Sequence, residues 1–417
     1  MQADPPNTNA VLAVAGISGI SAHIFLYRHG EWDLTAPKIF IFYLTLLLGA
    51  VIVDHLELTG LENTTQRHLA VRSVGCHILA IYSSMLIYRA LFHRLCKFPG
   101  PFLARLSNFY VAGLSAKKAQ LYKETQRLHK LYGDYVRIGP TVLSITDPTA
   151  VKEIYSSKAK VSKGPFYTVS EPRVSLQTSR NKEEHARRRR VWDQAFSSKA
   201  LRNYEPRVIH YTNQLINAIG KGLGKPMNVS KWFNYYSFDV MGDLSFGKSF
   251  NMLVDGKDSY ILSQLHGDMA KVGIFIHLTW LFPFFKRTPG LNKEYLKFWR
   301  FVEGSVVERI QVCISLKTGT MKLMREVSKN PPDRPDVFSW ILDAYNKAPK
   351  TKQNWLDVIG DAYLIIVAGS DTTAATLTFL FYHLASDKFL YKKLQAELDT
   401  LSELSYDKLR NVGCSTQ

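Results

Sequence analysis

Residues Asp361–His383 read DAYLIIVAGSDTTAATLTFLFYH, an apolar run long enough for a continuous helix but interrupted in its middle by Ala368-Gly369-Ser370-Asp371-Thr372-Thr373. Glycine with adjacent Ser or Thr is the combination at which a helix loosens, and a Thr hydroxyl satisfies the carbonyl that a loosened turn exposes. An acid buried beside a hydroxyl in such a turn can relay protons to a bound ligand. The same residues also make a kinked packing helix with no chemistry attached, so the stretch alone leaves both readings open.

Working outward, the flanking sequence keeps helical periodicity. It predicts helices over Glu183–Phe196, Tyr204–Ile219, Trp232–Leu244, Tyr260–Val272, Lys293–Leu316, Val337–Tyr345, Asn354–Ser386 and Lys388–Leu401. Further upstream Leu121–Tyr132 is amphipathic, and Tyr135–Ile138 and Val142–Ile145 alternate around Gly139-Pro140 as a small hairpin. Asp147-Pro148 is a helix start, with Thr149–Ser156 following. The prolines of Lys97-Phe98-Pro99-Gly100-Pro101-Phe102 cannot continue a helix and make a stiff connector. No internal repeat or low-complexity tract interrupts this order. The fold class is mostly α with a small β-sheet.

Three apolar stretches precede the connector, roughly Ala10–Tyr27, Ile39–Val53 and Leu69–Phe92. Crossing a bilayer takes about 20 residues, so the first and third are candidate spans; the second is short and reads either as a third span or as an interfacial hairpin. Met1–Asn9 has no positive charge and contains Asp4, which disfavours a cleaved signal peptide. Arg28 and Lys38 lie between the first two stretches, and Arg89, Arg94 and Lys97 follow the third, so the rule of cytosolic positive charge places the amino terminus in the lumen and the large domain in the cytosol. Asn63-Thr64-Thr65 is then a formal glycosylation acceptor in a lumenal loop too close to the membrane to be used.

Residues 1–97 hold seven basic and six acidic side chains, which leaves 46 basic against 29 acidic in the other 320 positions. The basic part is the globular part, and that suggests an acidic partner, an anionic surface or an anionic cofactor. Cys76, Cys96, Cys313 and Cys414 have no close spacing, which argues against a disulfide framework and a zinc site. A second apolar feature, Val272–Phe285, is too short to span a bilayer; it fits either the core or a loop dipping into the membrane near a route for lipophilic substrate. Four consecutive arginines, Arg187–Arg190, invite a nucleic-acid reading. The helical period opposes it, because His185 and Arg189 share a face and Trp192 continues the stripe.

These blocks together resemble the cytochrome P450 family, in its fungal microsomal multi-span form. Ala368-Gly369-Ser370-Asp371-Thr372-Thr373 is similar to the distal-helix motif, Lys97–Phe102 to the proline-rich hinge, Tyr132–Ile145 to the first β-hairpin, and Glu184–Phe196 to the helix whose Arg pairs with a haem propionate. The order and spacing hold over about residues 97–410. The resemblance implies an anchor over 1–96 with about three transmembrane helices, and a P450-like catalytic domain over 97–417. It implies haem as cofactor, Asp371 and Thr372 as catalytic residues, Ala368 and Gly369 against the cofactor, and His185 and Arg189 on a propionate. The other arginines are then a solvated face or a docking surface for an acidic redox partner. It further implies a haem-dependent monooxygenase of fungal secondary metabolism in the endoplasmic reticulum membrane. Such an enzyme inserts one oxygen atom from O2 into a lipophilic substrate and is fed by NADPH-cytochrome P450 reductase. Substrate types known for such relatives are terpenoid, polyketide or indole.

In the family a Glu-x-x-Arg helix and a Phe-Gly-Arg-Cys-Gly loop, which supplies the iron's thiolate, follow the distal helix. Family-like text here runs to about Leu404–Leu409, and Cys414 lies in no matching loop, so the sequence reads as a carboxy-terminally truncated member. The alternative to the monooxygenase is a catalytically inactive remnant without a haem ligand.

Overall fold

The computed structural model of the 417-residue chain describes residues 7–56, 68–117, 120–156, 158–317, 336–403 and 405–412. Asn63–Thr65 and Cys414 fall outside them. Cα packing divides the chain into two compact units that do not follow chain order: Met1–Val169 with Asp268–Asn292, and Ser170–Gly267 with Lys293–Gln417.

In the first unit α1 (Thr8–Ala22) and α3 (Leu69–Ile87) each end in a π-helical turn, His23–Tyr27 and Tyr88–Phe92, and between them runs α2 (Ala36–His55). All three are long and apolar enough to cross a membrane. The second stretch, short when read from composition, becomes a 20-residue helix because Ala36–Lys38 and Asp54-His55 extend it at both ends. Helices α1 and α3 run parallel. Ser18 Oγ meets His77 Nδ1 at 2.8 Å, His23 Nδ1 meets Ser84 Oγ at 2.8 Å, and Cys76 Sγ donates to the Leu12 carbonyl at 3.4 Å. Tyr43 of α2 bonds Tyr27 Oη at 3.0 Å and His77 Nε2 at 3.4 Å. The polar groups therefore face inward while large apolar side chains such as Phe25 (79% exposed) and Leu79 (68%) face out. That arrangement suits lipid, where helices associate through close packing and interhelical hydrogen bonds.

The connector carries the chain from α3 to α4 (Phe102–Leu106), α5 (Phe109–Ala116) and α6 (Leu121–Tyr132). Strands β1 (Tyr135–Gly139) and β2 (Val142–Ile145) form the expected antiparallel hairpin, with a register shift between Arg137 and Gly139. The connector is tied to it where Arg137 N–H donates to the Pro99 carbonyl at 2.8 Å. Asp147 Oδ1 accepts from the Thr149 amide at 2.9 Å and starts α7 (Thr149–Tyr155) as expected. The apolar segment 272–285 belongs to this unit: it ends in α13 (Phe282–Arg287), whose Phe284 ring lies edge-on to Phe40 of α2 at 5.7 Å. Leu278, Thr279 and Pro283 are buried while Ile276 and Trp280 remain exposed, so the segment is neither wholly core nor wholly surface.

The second unit is helical: α8 (Lys182–Ala195), α9 (Ser198–Lys221), α10 (Val229–Phe246), α11 (Met252–Asp255), α14 (Lys293–Lys317), α15 (Val337–Lys347), α16 (Lys352–Ser386), α17 (Lys388–Leu398) and α18 (Tyr406–Val412). The first half of α12 (Tyr260–Phe275), up to Gly267, belongs to it too, and the half from Asp268 belongs to the first unit. Its core is centred on α10, where Phe233, Tyr235, Phe238 and Met241 are buried on several sides: Phe233 meets Phe381 of α16 and Met241 packs at Gly369, while Phe238 meets Phe250 and Tyr235 donates to Asp258. Besides Arg188, described below, two buried arginines are each matched to one aspartate. Arg207 Nη2 lies 2.7 Å from Asp243 and joins α9 to α10, and Arg309 Nη2 lies 2.7 Å from Asp336, the residue that caps α15.

The α1–α3 approach depends on Gly19, where a Cβ would meet the His77 carbonyl and come within 2.9 Å of Ala80 Cβ. Oxidation of Leu12→Cys is expected to cross-link it to Cys76 in membranes, and adding Gly19→Val should abolish the cross-link; a cross-link unaffected by Gly19→Val would refute the packing.

Candidate active site

Helix α16 extends over 35 residues from the Thr351 cap, whose hydroxyl accepts from the Asn354 amide at 3.1 Å, to Asp387. Asp387 then caps α17 through the Phe389 and Leu390 amides. The helix is unbroken through the Gly-Ser-Asp-Thr-Thr segment. Ser370, Thr372, Thr376 and Thr378 each turn a hydroxyl back onto the carbonyl four residues earlier, at 2.6 to 2.8 Å. These bonds absorb the hydroxyls that would otherwise compete with the helix.

The two sides of the helix differ. Val358, Ile359, Gly360, Ala362, Ile365, Ile366, Ser370 and Ala374 are buried, and the helix approaches its neighbours at two glycines. A Cβ at Gly360 would come within 2.8 Å of the Val174 backbone, and one at Gly369 within 2.9 Å of Met241 Cγ. Ala368, Thr372, Thr373 and Thr376 lie on the exposed side, and the exposure continues through Phe379, Leu380, Phe381 and Tyr382 into Phe389 and Tyr391 of α17. Ala368 and Thr372 thus share one open face, joined by the Thr372 Oγ1 bond to the Ala368 carbonyl at 2.7 Å. Gly369 lies on the side toward α10, where its smallness serves helix packing. Asp371 is half-buried beside Thr372, so the fully buried acid of this helix is another residue.

That residue is Asp361. Arg188 of α8 places Nη2 2.6 Å from its Oδ1, with side-chain exposures of 8% and 6%. The Leu176 amide donates to the same oxygen at 2.7 Å, and Trp192 Nε1 reaches Oδ2 at 3.5 Å. Arg188 also gives Nη1 to the Val174 carbonyl at 2.8 Å and lies 3.6 Å from Asp357. Burial pushes the Asp361 carboxyl above its ordinary range, while the Arg188 charge and the Leu176 and Trp192 donors pull against that shift. A cavity of about 60 Å³ beside this pair, lined by Trp192, Ile341, Tyr345 and Val358 among others, is about two water molecules in size and too small for a lipophilic substrate.

Arg188 corrects the expectation that all the arginines besides Arg189 are solvated. Successive helical residues turn by about 100°, so four in a row cover nearly the whole circumference and one of them must face the core. Asp361, alone among apolar neighbours, was the matching signal, since a buried carboxylate needs a paired cation. Arg189 and His185 lie elsewhere on α8. Arg189 is exposed and its Nε meets Asp193 at 2.7 Å, with side-chain exposures of 61% and 58%; His185 is half-buried. Arg187 pairs with Glu184 at 2.6 Å on the solvent side. The structure thus gathers Ala368, Thr372 and Asp371 on α16 and His185 and Arg189 on α8, and ties the two helices through a residue pair outside both motifs.

Removing one partner of a buried ion pair leaves an uncompensated charge and costs about 3–5 kcal/mol, whereas apolar residues of similar volume at both positions are close to neutral. Arg188→Met alone is therefore expected to destabilise the second unit strongly in denaturant unfolding, and Arg188→Met with Asp361→Leu to recover most of the loss. Two variants equally unstable would show that the pair is not the tie between α8 and α16.

The sequence profile described as Cytochrome P450 matches residues 99–409. "Cytochrome P450 monooxygenase orf5" of Eupenicillium brefeldianum is 46% identical over 342 residues, covering 82% of this chain and 66% of its own length. "Cytochrome P450 monooxygenase FCK2" of Fusarium pseudograminearum (strain CS3096) is 42% identical over 417 residues, 98% of this chain and 72% of its own length. "Tryprostatin B 6-hydroxylase" of Aspergillus fumigatus is 32% identical over 397 residues, covering 94% and 67%. The chain spans about two thirds of the length of these curated relatives. The profile covers the region holding both α8 and the open face of α16, and the relatives extend the likeness into the three amino-terminal apolar helices; the chain belongs to the cytochrome P450 family.

Proposed function

We propose that this chain belongs to a membrane-anchored, haem-dependent monooxygenase of fungal secondary metabolism, acting on a lipophilic substrate. The observation that carries the proposal is the open face of α16, where a small residue and a hydroxyl, Ala368 and Thr372, stand exposed in a family whose members bind haem at this motif. The residues fit that group on its distal side: Ala368 leaves room for a flat ring edge, and Arg189 offers a guanidinium fork whose present partner is an exposed carboxylate easily exchanged for a propionate. His185 supplies a second donor on the same helix. An axial thiolate is not assigned: Cys76 and Cys96 lie in the first unit, and the side chains of Cys313 and Cys414 fall outside the described residues. Bound haem would supply O2 activation.

Thr372 Oγ1 donates to the Ala368 carbonyl, which leaves its oxygen lone pairs available to accept a proton-bearing ligand. Asp371, half-buried one residue earlier, can pass a proton between solvent and that hydroxyl. Gly369 keeps α16 close to Met241 and so holds the open face in place. The exposed Arg187 and Arg190, in a strongly basic globular part, suit the acidic surface of an NADPH-fed reductase. The three apolar helices support a multi-pass anchor in the endoplasmic reticulum membrane with the large domain in the cytosol. The contact of Phe284 with α2 brings the 272–285 segment to that anchor, where lipophilic substrate would enter.

In microsomes carrying the full product of the gene, Thr372→Ala is expected to consume NADPH and O2 severalfold in excess of product, and Asp371→Asn to slow turnover roughly a hundredfold. Coupling and turnover unchanged in both would remove the assignment of the open face. Arg189→Gln should lower haem retention while changing unfolding stability by less than about 1 kcal/mol, since the exposed pair it breaks contributes little. Loss of stability without loss of haem would reverse that role.

A further inference from the structure

One end of the α1–α3 pair concentrates positive charge. Arg28, the first residue after the π-helical end of α1, holds its guanidinium carbon 4.5 Å from the centroid of the Tyr88 ring. The same ring meets His23 at 5.8 Å and His93 at 5.7 Å, both edge-on. Arg89, next in sequence, is half-buried and gives Nη1 to the Leu106 carbonyl at 3.0 Å. Arg137 is fully buried, with Nη2 on the carbonyls of Arg89 (3.0 Å) and Pro140 (2.6 Å) and Nη1 toward Cys96 Sγ at 3.7 Å. Arg94 is exposed. Among the described residues, the hydrogen bonds of Arg89 and Arg137 end on neutral carbonyls or a thiol, none on a carboxylate.

His93 sits among these groups. Burial, followed by the fields of Arg137, Arg94, Arg89 and Arg28, holds its imidazole below the ordinary range, so the ring is neutral at pH 7. The Leu95 amide donates to its Nδ1 at 3.2 Å, which puts the ring proton on Nε2 as a donor. Four guanidinium groups around one neutral imidazole, where α3 ends, form a concentrated basic site. Basic pockets between membrane helices on the cytosolic side are suited to lipid phosphates.

We propose that Arg28, Arg94 and His93, backed by Arg89 and Arg137, hold the phosphate of one anionic phospholipid at the cytosolic end of α1 and α3. The lipid is anionic because a zwitterionic headgroup brings its own cation and leaves the cluster's excess uncompensated. Arg28 and Arg94 supply the exposed charge, and the Nε2–H of His93 a neutral donor. Arg89 and Arg137 hold the end of α3 rigid against β1. The site gives the anchor a fixed rotational setting in the bilayer. The proposal rests on reading α1–α3 as membrane spans.

The test reconstitutes the full 417-residue chain in nanodiscs of phosphatidylcholine containing a minor fraction of phosphatidylserine or phosphatidylinositol, and measures retained lipid by native mass spectrometry. One anionic lipid is expected to remain bound in excess of its bulk fraction. Arg94→Gln should reduce that retention about fivefold and Arg28→Gln with Arg94→Gln further, while Lys38→Gln, outside the cluster, leaves it unchanged and Arg94→Lys preserves most of it. Equal retention of phosphatidylcholine, or no effect of either glutamine substitution in protein that remains embedded, would overturn the site. Displacement of the lipid by millimolar inorganic phosphate would make it a free-anion site and overturn the lipid assignment. A chain that fails to incorporate into nanodiscs at all, yet stays folded by circular dichroism, would count instead against the spans.

Discussion

The Arg188–Asp361 pair is the contact on which the organisation of the second unit turns. It joins α8 to α16 in a region from which water is nearly excluded, and it recruits the Leu176 amide, the Val174 carbonyl and the Trp192 indole to satisfy what remains of both charges. A pair this enclosed adds little net stability over apolar packing, but an unmatched arrangement of the two helices would strand a charge. Its effect is therefore on registry. It fixes the rotation of α8 so that Arg189, about 100° around the helix, faces outward. It fixes the longitudinal position of α16, on which Thr372 stands three turns further along.

Gly360 shows how closely this tie is drawn. One residue before Asp361, it lets the helix backbone touch the Val174–Ser175 chain that also receives Arg188. Gly369 repeats the device against Met241, nine residues on. Between these two close approaches the inner side of α16 is committed to α10 and the loop before α8, and Ala368, Thr372 and Thr376 are left on the exposed side.

The two units treat buried arginine in opposite ways. In the second, Arg207 and Arg309 are each matched to one aspartate and Arg188 to Asp361 with Asp357 nearby, and each joins two elements. In the first, Arg137 is as deeply buried but spends its guanidinium on carbonyl oxygens at the end of α3 and in the hairpin turn. The amino-terminal apolar helices invert the usual pattern again, with hydroxyl and imidazole groups between them and Phe and Leu outside.

Periodicity and punctuation were enough to place the long helices, the Tyr135–Ile145 hairpin and the start of α7, because local propensity and tertiary packing agree there. The family was legible from motif order alone. Short elements such as α4, α11 and α13 were not, since their stability comes from what they pack against rather than from their own residues. Composition likewise undercounted α2, whose polar end at Asp54 is held by a partner distant in sequence, the Ala70 and Val71 amides of α3. For the site, the family resemblance offers Ala368, Gly369, Asp371, Thr372, His185 and Arg189 as candidates. Which of four consecutive arginines turns inward, and which acid of α16 is the buried one, depends on the rotation of two helices about their axes. That rotation is set by partners 169 to 185 residues apart in the chain, so only the tertiary structure could decide it.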